Sequence, residues 1–318
     1  MPEAAEVRRI TDKLRSRLKG KSLVFITWIE NNKYSQNLSQ NWPMVEHLFP
    51  SICLDILCKG KQIFFFLENG LALISGLGME GHWYYFNCSS QNQVLHNYIE
   101  NKNHRMFCLH FGRQFKRKDV SWNISETQVW YDDTRSFGNF TITSWSNAFT
   151  KMKQIGPDLL ATTTPFKDIS MIIRNILPQE FFVRADLNMF KQEIRSGRRT
   201  QMELCRFLMN QEYFAGCGNY LLIEILYRSR LHPERVLGSL TDDDISVLFS
   251  NCLATIQQAY EHGGLTHGTF LDPDMMKGQF VVQVYKRESQ LDINGFIIKR
   301  IQTSNGRSSY IVEELQQI

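Results

Sequence analysis

The sequence predicts a two-domain α+β protein: an N-terminal helix, a β-rich domain, a helical domain and a small β-hairpin appendix. Three observations carry this reading. Residues 22–147 hold short apolar runs separated by Gly, Asn and Asp clusters, the pattern of an all-β sandwich or barrel. From residue 166 onward the apolar positions recur at helical spacing, until the last 40 residues return to strand-like alternation. At about 150 residues per domain, the 318-residue chain has room for two cores. Its composition, 43% hydrophobic and 21% charged, is that of an ordinary globular protein and excludes a disordered one.

Each element has its own signal. Val7, Ile10, Leu14 and Leu18 form one apolar stripe, with Arg8, Arg9, Lys13, Arg15 and Arg17 around it and Gly20 as the stop. Leu23–Trp28, Ile63–Leu67 and Ala72–Ser75 read as strands, and Gly76, Gly78 and Gly81 supply turns. The character changes near Ile155-Gly156-Pro157. Leu204, Phe207 and Leu208 share a helix face before Gln211, and a second helix starts at Asn219. A long helix runs from Thr241 to His262, capped by the Thr and Asp residues at 241–244. The runs VVQVYKR, GFIIKRI and SSYIVEE alternate about Gly295 and Asn305-Gly306 and predict strands. The expected division is 1–150, a linker 151–165, a helical domain 166–265 and an appendix 266–318.

Charge and cysteine usage narrow the function classes. The net charge is 36 − 32 = +4, which excludes a polybasic tail and leaves room for a local basic face. No run of 18 apolar residues is present, so no membrane span is expected, and MPEAAEVRRI lacks the apolar core of a signal peptide. The seven cysteines are scattered and none forms a C-x-x-C pair, which argues against a disulfide framework or a cysteine zinc site. A reduced, intracellular protein is expected.

Two features carry chemistry. Loss of Met1 leaves Pro2 with a secondary α-amine, a class of group with a pKa of about 8, partly deprotonated near neutral pH and able to form a Schiff base. Glu3 and Glu6 stand beside it as acid/base or sugar-contacting groups; the same residues also suit the first turn of a helix. The second feature is Gln211-Glu-Tyr-Phe-Ala-Gly216-Cys-Gly218-Asn219-Tyr, then Glu224 and His232-Pro233. Here one helix ends, two glycines turn the chain and another helix begins, so backbone N–H groups and the Asn219 amide are placed to grip a phosphate. An ordinary helix hairpin has the same outline.

Taken in order, Met1-Pro2-Glu3 with Glu6, Lys59-Gly60-Lys61, Leu77-Gly78-Met79-Glu80-Gly81, Arg135-Ser136-Phe137-Gly138, Ile155-Gly156-Pro157-Asp158 and the string ending at Asn219 resemble the formamidopyrimidine-DNA glycosylase/endonuclease VIII (Fpg/Nei) family. The resemblance implies an N-terminal β-sandwich domain and a C-terminal helix–two-turn–helix domain with a β-hairpin finger. It implies a bifunctional DNA glycosylase/AP lyase of base excision repair that acts on oxidised bases and cleaves the strand by β/δ-elimination. Pro2 is then the nucleophile at C1′, Glu3 assists base loss and proton transfer with Glu6 beside it, and Lys61 contacts a phosphate and helps elimination. Asn219 and Arg307 hold backbone phosphate, and Met79, Arg135 and Phe137 fill the hole left by the extruded base. The implied partner is damaged DNA, as duplex, single-stranded or bubble DNA, and the preference among them is left open. The expected protein is monomeric, needs no cofactor or metal, and works in the nucleus or another DNA-containing compartment. A noncatalytic damaged-DNA-binding protein of the same fold is the alternative, and the intact Pro2-Glu3 pair argues against it.

Departures from the family pattern are informative. Ser136 stands where a second Arg often follows the void-filling one, and Ala4-Ala5 replaces the usual pair after Glu3. Members commonly end in a four-cysteine zinc finger. Here Leu291, Asn294, Val312 and Leu315 occupy those frames and offer no zinc-binding set. The hairpin pattern survives, with Phe296, Ile298 and Tyr310 to pack it, so a zincless finger is expected. The basic stretches 102–118 and 191–206 read as solvated faces and are assigned no site. His267–Gly278 reads as a mobile loop that by resemblance covers the extruded base.

Overall fold

The computed structural model describes residues 2–30, 32–38, 42–87, 105–117, 120–266 and 270–318. Helix α1 (Ala4–Leu18) opens the chain. Glu3 is its N-cap, and the Glu6 carboxylate accepts the Glu3 N–H at 2.9 Å, closing a capping box. The stripe Val7, Ile10, Leu14 and Leu18 is buried against the β domain, whereas Ala4 and Ala5 join the core of the helical domain. One helix therefore seals both cores.

Strands β1 (Ser22–Trp28), β2 (Ser51–Lys59), β3 (Gln62–Leu67), β4 (Leu71–Gly76), β5 (His82–Asn87), β6 (Arg105–Arg117), β7 (Val120–Asp132) and β8 (Asn139–Ser144) pair in the order β5-β7-β6-β1-β2-β3-β4-β8. All the pairings are antiparallel. Only Ser22↔Ile52 and Leu23↔Ser51 join β1 to β2, so the sheet divides there into two four-stranded layers that face each other. The space between is filled by aromatic packing. Trp83 sits 4.9 Å from Tyr131 and 5.6 Å from both Phe65 and Phe107, ring centre to ring centre. From Ile63 to Leu67 β3 is apolar because both its faces are covered. Ile63, Phe65 and Leu67 point between the layers, and Phe64 and Phe66 point outward onto Ala148 and Met152 of the helix Trp145–Lys153. That helix runs across residue 150 and packs on the β domain.

The helical domain gathers Leu204–Met209, Asn219–Ser229 and the long helix Asp242–Glu261 around one core. Leu204, Phe207 and Leu208 are buried, and Thr241 caps the long helix in a box with Asp244. Helix Asn219–Ser229 begins at the residue the sequence indicated. The appendix differs from expectation. Among the described residues, only β9 (Lys299–Gln302) and β10 (Ser308–Ile311) form a hairpin there. VVQVYKR is irregular because the buried Glu224 carboxylate accepts the N–H groups of Gln283, Val284 and Tyr285 at 2.8–3.0 Å, taking donors that a ladder needs. Among the described residues, no helix is long and apolar enough to cross a membrane.

Candidate active site

The site forms where α1 meets the start of helix Asn219–Ser229. No side chain of that helix caps its own N-terminus. Glu3 does so from across the chain: its carboxylate accepts N–H groups from Gly218 at 2.7 Å, Tyr220 at 2.9 Å and Leu221 at 3.2 Å. A helix N-terminus carries partial positive charge and unpaired N–H groups, so an acid there satisfies both demands. The approach requires glycine: a Cβ on Gly218 would lie 2.3 Å from Glu3 Cδ. Pro2 is buried beside Glu3.

Glu6 supports the arrangement. Besides the Glu3 N–H, its carboxylate accepts the Tyr220 hydroxyl at 2.9 Å and the Leu265 N–H at 2.8 Å. Burial pushes the Glu3 carboxyl up to about 7, and the neighbouring Glu6 pushes the same way; the Lys61 charge and the backbone N–H groups hold it back. An acid set near neutrality can both give and take a proton at physiological pH. Lys61 reaches this neighbourhood from the turn between β2 and β3.

Asn219 and Arg307 lie close together where the helix start meets the β9–β10 hairpin. The Asn219 amide donates to the Ser308 carbonyl at 3.1 Å, which ties the helix start to β10 one residue from Arg307. Arg307 is exposed in the β9–β10 turn, and its carbonyl accepts from Thr303 N–H at 2.9 Å. Hydrogen bonds hold the finger together. Asp292 accepts the Tyr227 hydroxyl at 2.8 Å and the N–H groups of Asn294 and Phe296, and Gln316 bridges Val312 N–H and the Leu231 carbonyl. Leu291 and Asn294 are exposed and Val312 is fully buried, so the family's four ligand frames do not converge as donors. Ile298 is buried, with Phe296 and Tyr310 packed on the same core.

Met79, Arg135 and Phe137 form a second group on two loops of the β domain. Met79 and Phe137 are 40% and 60% exposed, far more than core residues. Arg135 pairs with Glu80 at 3.2 Å, and a Cβ on Gly78 would lie 2.4 Å from the Phe137 backbone, so the two loops touch. The loop after the long helix is tethered: Asp272 binds Arg9 at 2.7 Å, and Asp274 binds Lys13 at 2.6 Å and Arg17 at 2.8 Å. These pairs clamp residues 272–274 to α1, where a mobile segment was expected; residues 267–269 lie outside the described residues, as do Lys102 and Lys118 of the basic stretch. In the stretch 191–206, Lys191 and Arg195 pair with Asp242, Arg199 with Glu193 and Arg206 with Glu203, which fits solvated faces. Sequence reasoning assigned no role to Tyr220, Glu224, Leu265 or Asp292. Glu224, the one acidic residue in the helix NYLLIEILYRS, was the readable signal.

A model of the formamidopyrimidine-DNA glycosylase N-terminal domain matches residues 1–140, and one of the formamidopyrimidine-DNA glycosylase H2TH domain matches residues 178–270. The chain belongs to the Fpg/Nei family. The formamidopyrimidine-DNA glycosylase of Mycoplasma pneumoniae is 27% identical over 325 residues, covering 99% of each chain. That of Streptococcus pneumoniae serotype 4 is 26% identical over 323 residues, covering 100% of this chain and 99% of the relative. Among solved structures, Lactococcus lactis Fpg in complex with abasic-site-containing DNA aligns over 100% of both chains, with a TM-score of 0.76 and 21% identity. The same protein with N7-benzyl-Fapy-dG-containing DNA gives the same values, 0.76 and 21%. Family membership carries the coarse activity, that of a DNA glycosylase of base excision repair.

Proposed function

We propose that this Fpg/Nei protein is a bifunctional DNA glycosylase and AP lyase that removes oxidised bases from damaged DNA. The observation that supports it most is the Glu3 carboxyl, buried at the N-terminus of helix Asn219–Ser229 beside Pro2, with Lys61 alongside. With Met1 removed, the Pro2 nitrogen adds to C1′ as the C1′–base bond breaks, and the base leaves with a proton that neutral Glu3 supplies. The Pro2 N–H proton passes to the Glu3 carboxylate left by base protonation and on to O4′ as the C1′–O4′ bond opens, which gives the iminium. Loss of a C2′ proton then expels the 3′ phosphate, and a second elimination expels the 5′ phosphate. Hydrolysis of the iminium returns the amine.

The other side chains bind and orient. Lys61 meets a phosphate next to the lesion, and Asn219 and Arg307 hold the backbone from the adjoining face. Met79, Arg135 and Phe137 replace the lost stacking and pairing in duplex DNA; single-stranded and bubble substrates need them less. The protein acts as a monomer, and its finger belongs to the zincless branch, with Asp292 and Gln316 making hydrogen bonds in place of metal bonds.

Borohydride trapping on oligonucleotides carrying oxidised bases tests the chemistry. The untagged protein forms a covalent adduct, and Pro2→Thr does not. Undiminished trapping by Pro2→Thr with a blocked N-terminus would overturn the assignment of the nucleophile. Lesion-selective binding without any trapping would instead mark a noncatalytic damage binder.

A further inference from the structure

The Lys61 turn is held from the interdomain linker. The chain reverses at Gly60 with φ +55°, a conformation that favours glycine. Its N–H donates to Asp158 Oδ2 at 2.6 Å. Asp158 is 98 residues away and buried. Its other oxygen caps the helix Leu159–Thr163, accepting Leu160 N–H at 2.9 Å and Ala161 N–H at 3.0 Å. The same stretch is stitched to the two-turn loop: Leu159 N–H donates to the Ala215 carbonyl at 3.1 Å, and Ala215 N–H to the Pro157 carbonyl at 2.9 Å. A Cβ on Gly60 would lie 2.8 Å from that of Ala215, so the Lys61 turn also rests directly on this loop. Two residues beyond Gly216, the loop gives its Gly218 N–H to Glu3.

From this geometry we infer that Asp158 is a positioning residue for Lys61: one carboxylate fixes the lysine turn, the linker helix and, through Pro157 and Ala215, the loop that holds Glu3. The inference rests on the proposed glycosylase/lyase reading. Asp158 is buried behind the turn and acts through the placement of the Lys61 charge beside Glu3. That charge is the main influence holding the Glu3 carboxyl down against burial. A displaced Lys61 leaves the Glu3 pKa higher and the phosphate contact misplaced.

Asp158→Asn separates this role from helix capping. Asn is as good an N-cap as Asp, so its carbonyl oxygen keeps the Leu160 and Ala161 N–H groups while its NH₂ faces the Gly60 N–H, donor against donor. Asp158→Ser, another capping residue too short to serve both partners, is the second variant should the first fold poorly. Strand cleavage is expected to slow about ten- to a hundredfold, the range for a catalytic group moved by around an ångström. In a Lys61→Met background the same change is expected to cost little more, because both act through one charge. The Glu3 titration, followed by carboxyl ¹³C chemical shifts of Glu-labelled protein with Glu3→Gln as the assignment control, is expected to move to higher pH in Asp158→Asn and in Lys61→Met alike. Fully multiplicative losses, or an unchanged Glu3 titration in a folded Asp158 variant, would overturn the inference. The titration needs no turnover, so a chain that trapped no DNA would sink the enzymatic reading while the placement of Lys61 was still judged.

Discussion

Replacing Glu3 with Gln should cost stability in acid and restore it in base. Burial raises the Glu3 carboxyl from its ordinary value of 4.5 to about 7. The unfolded chain therefore ionises first. Between those two values it binds fewer protons than the folded protein, and stability falls as pH rises through that window. At about 1.4 kcal/mol per pH unit, ionised Glu3 costs the fold roughly 3 kcal/mol by pH 8. Gln at this position never ionises. Its single carbonyl oxygen cannot serve both the Tyr220 N–H on one side and the Gly218 and Leu221 N–H groups on the other, so at least one buried donor faces an NH₂ group. That conflict costs about 1–3 kcal/mol at any pH. At pH 5 the variant should be the less stable protein by about that amount. From pH 5 to pH 8 the gap should close by roughly 2–3 kcal/mol, leaving the two near parity.

Urea unfolding of both proteins at pH 5, 6, 7 and 8, followed by tryptophan fluorescence, measures the gap. Single-turnover base excision on the same samples should fall at least about a hundredfold, the usual share of a general acid. A stability gap that stays constant across the series would refute the reasoning. It would mean that Lys61 and the three N–H groups outweigh burial and keep Glu3 ionised throughout.

Other expectations follow from neighbouring parts of the molecule. Asp292→Ala removes the acceptor of the Asn294 and Phe296 N–H groups and leaves the Tyr227 hydroxyl buried without its partner, at about 1–3 kcal/mol for that hydroxyl; Tm should drop, whereas a chelator should leave the Tm of the unmutated protein in place, and one tightly held zinc per chain would contradict the metal-free finger. Arg307→Ala removes an exposed charge, so the fold should persist while DNA affinity falls and the salt slope of binding shrinks by about one; an unchanged slope in a titration from low to high salt would remove the phosphate role. Met79→Ala, Arg135→Ala and Phe137→Ala should each slow excision from duplex more than from single-stranded DNA carrying the same lesion, because only the duplex leaves a gap and an orphaned base; equal losses in both contexts would point to support of the fold.

What the sequence disclosed is what short-range patterns encode. The α1 stripe, the start of helix Asn219–Ser229 and the Thr241–Asp244 box depend on residues three or four apart, and each stands where the spacing put it. VVQVYKR has equally good strand alternation and is no strand, because Glu224, some sixty residues earlier, claims its N–H groups. The unbroken apolar run of β3 fits a strand buried on both faces, yet periodicity alone cannot name what covers the second face. Motif order picked out Pro2, Glu3 and Lys61, and the structure buries Pro2 beside Glu3 with the Lys61 charge near it. Its supports were not: Tyr220 on Glu6 spans 214 residues and Asp158 on Gly60 spans 98.

Glu3 belongs to the β domain by sequence and to the helical domain by its hydrogen bonds. The three N–H groups it accepts and the Tyr220 hydroxyl that braces Glu6 come from residues 218–221. The helix that buries the carboxyl also supplies the positive N-terminus facing it, so the same contact raises the acid's pKa through desolvation and limits the rise through hydrogen bonds. Removing the helical domain would remove both influences, and the exposed carboxyl would return toward the ordinary carboxylate range, ionised and unable to donate a proton at neutral pH. The acid is thus a property of the docked pair of domains. That accounts for the close seams around it: Gly218 against Glu3, Gly216 against Ala4, and Gly264 against Glu6, each with less than 3 Å for an added Cβ. A side chain at any of the three would part the domains around the Glu3 carboxyl.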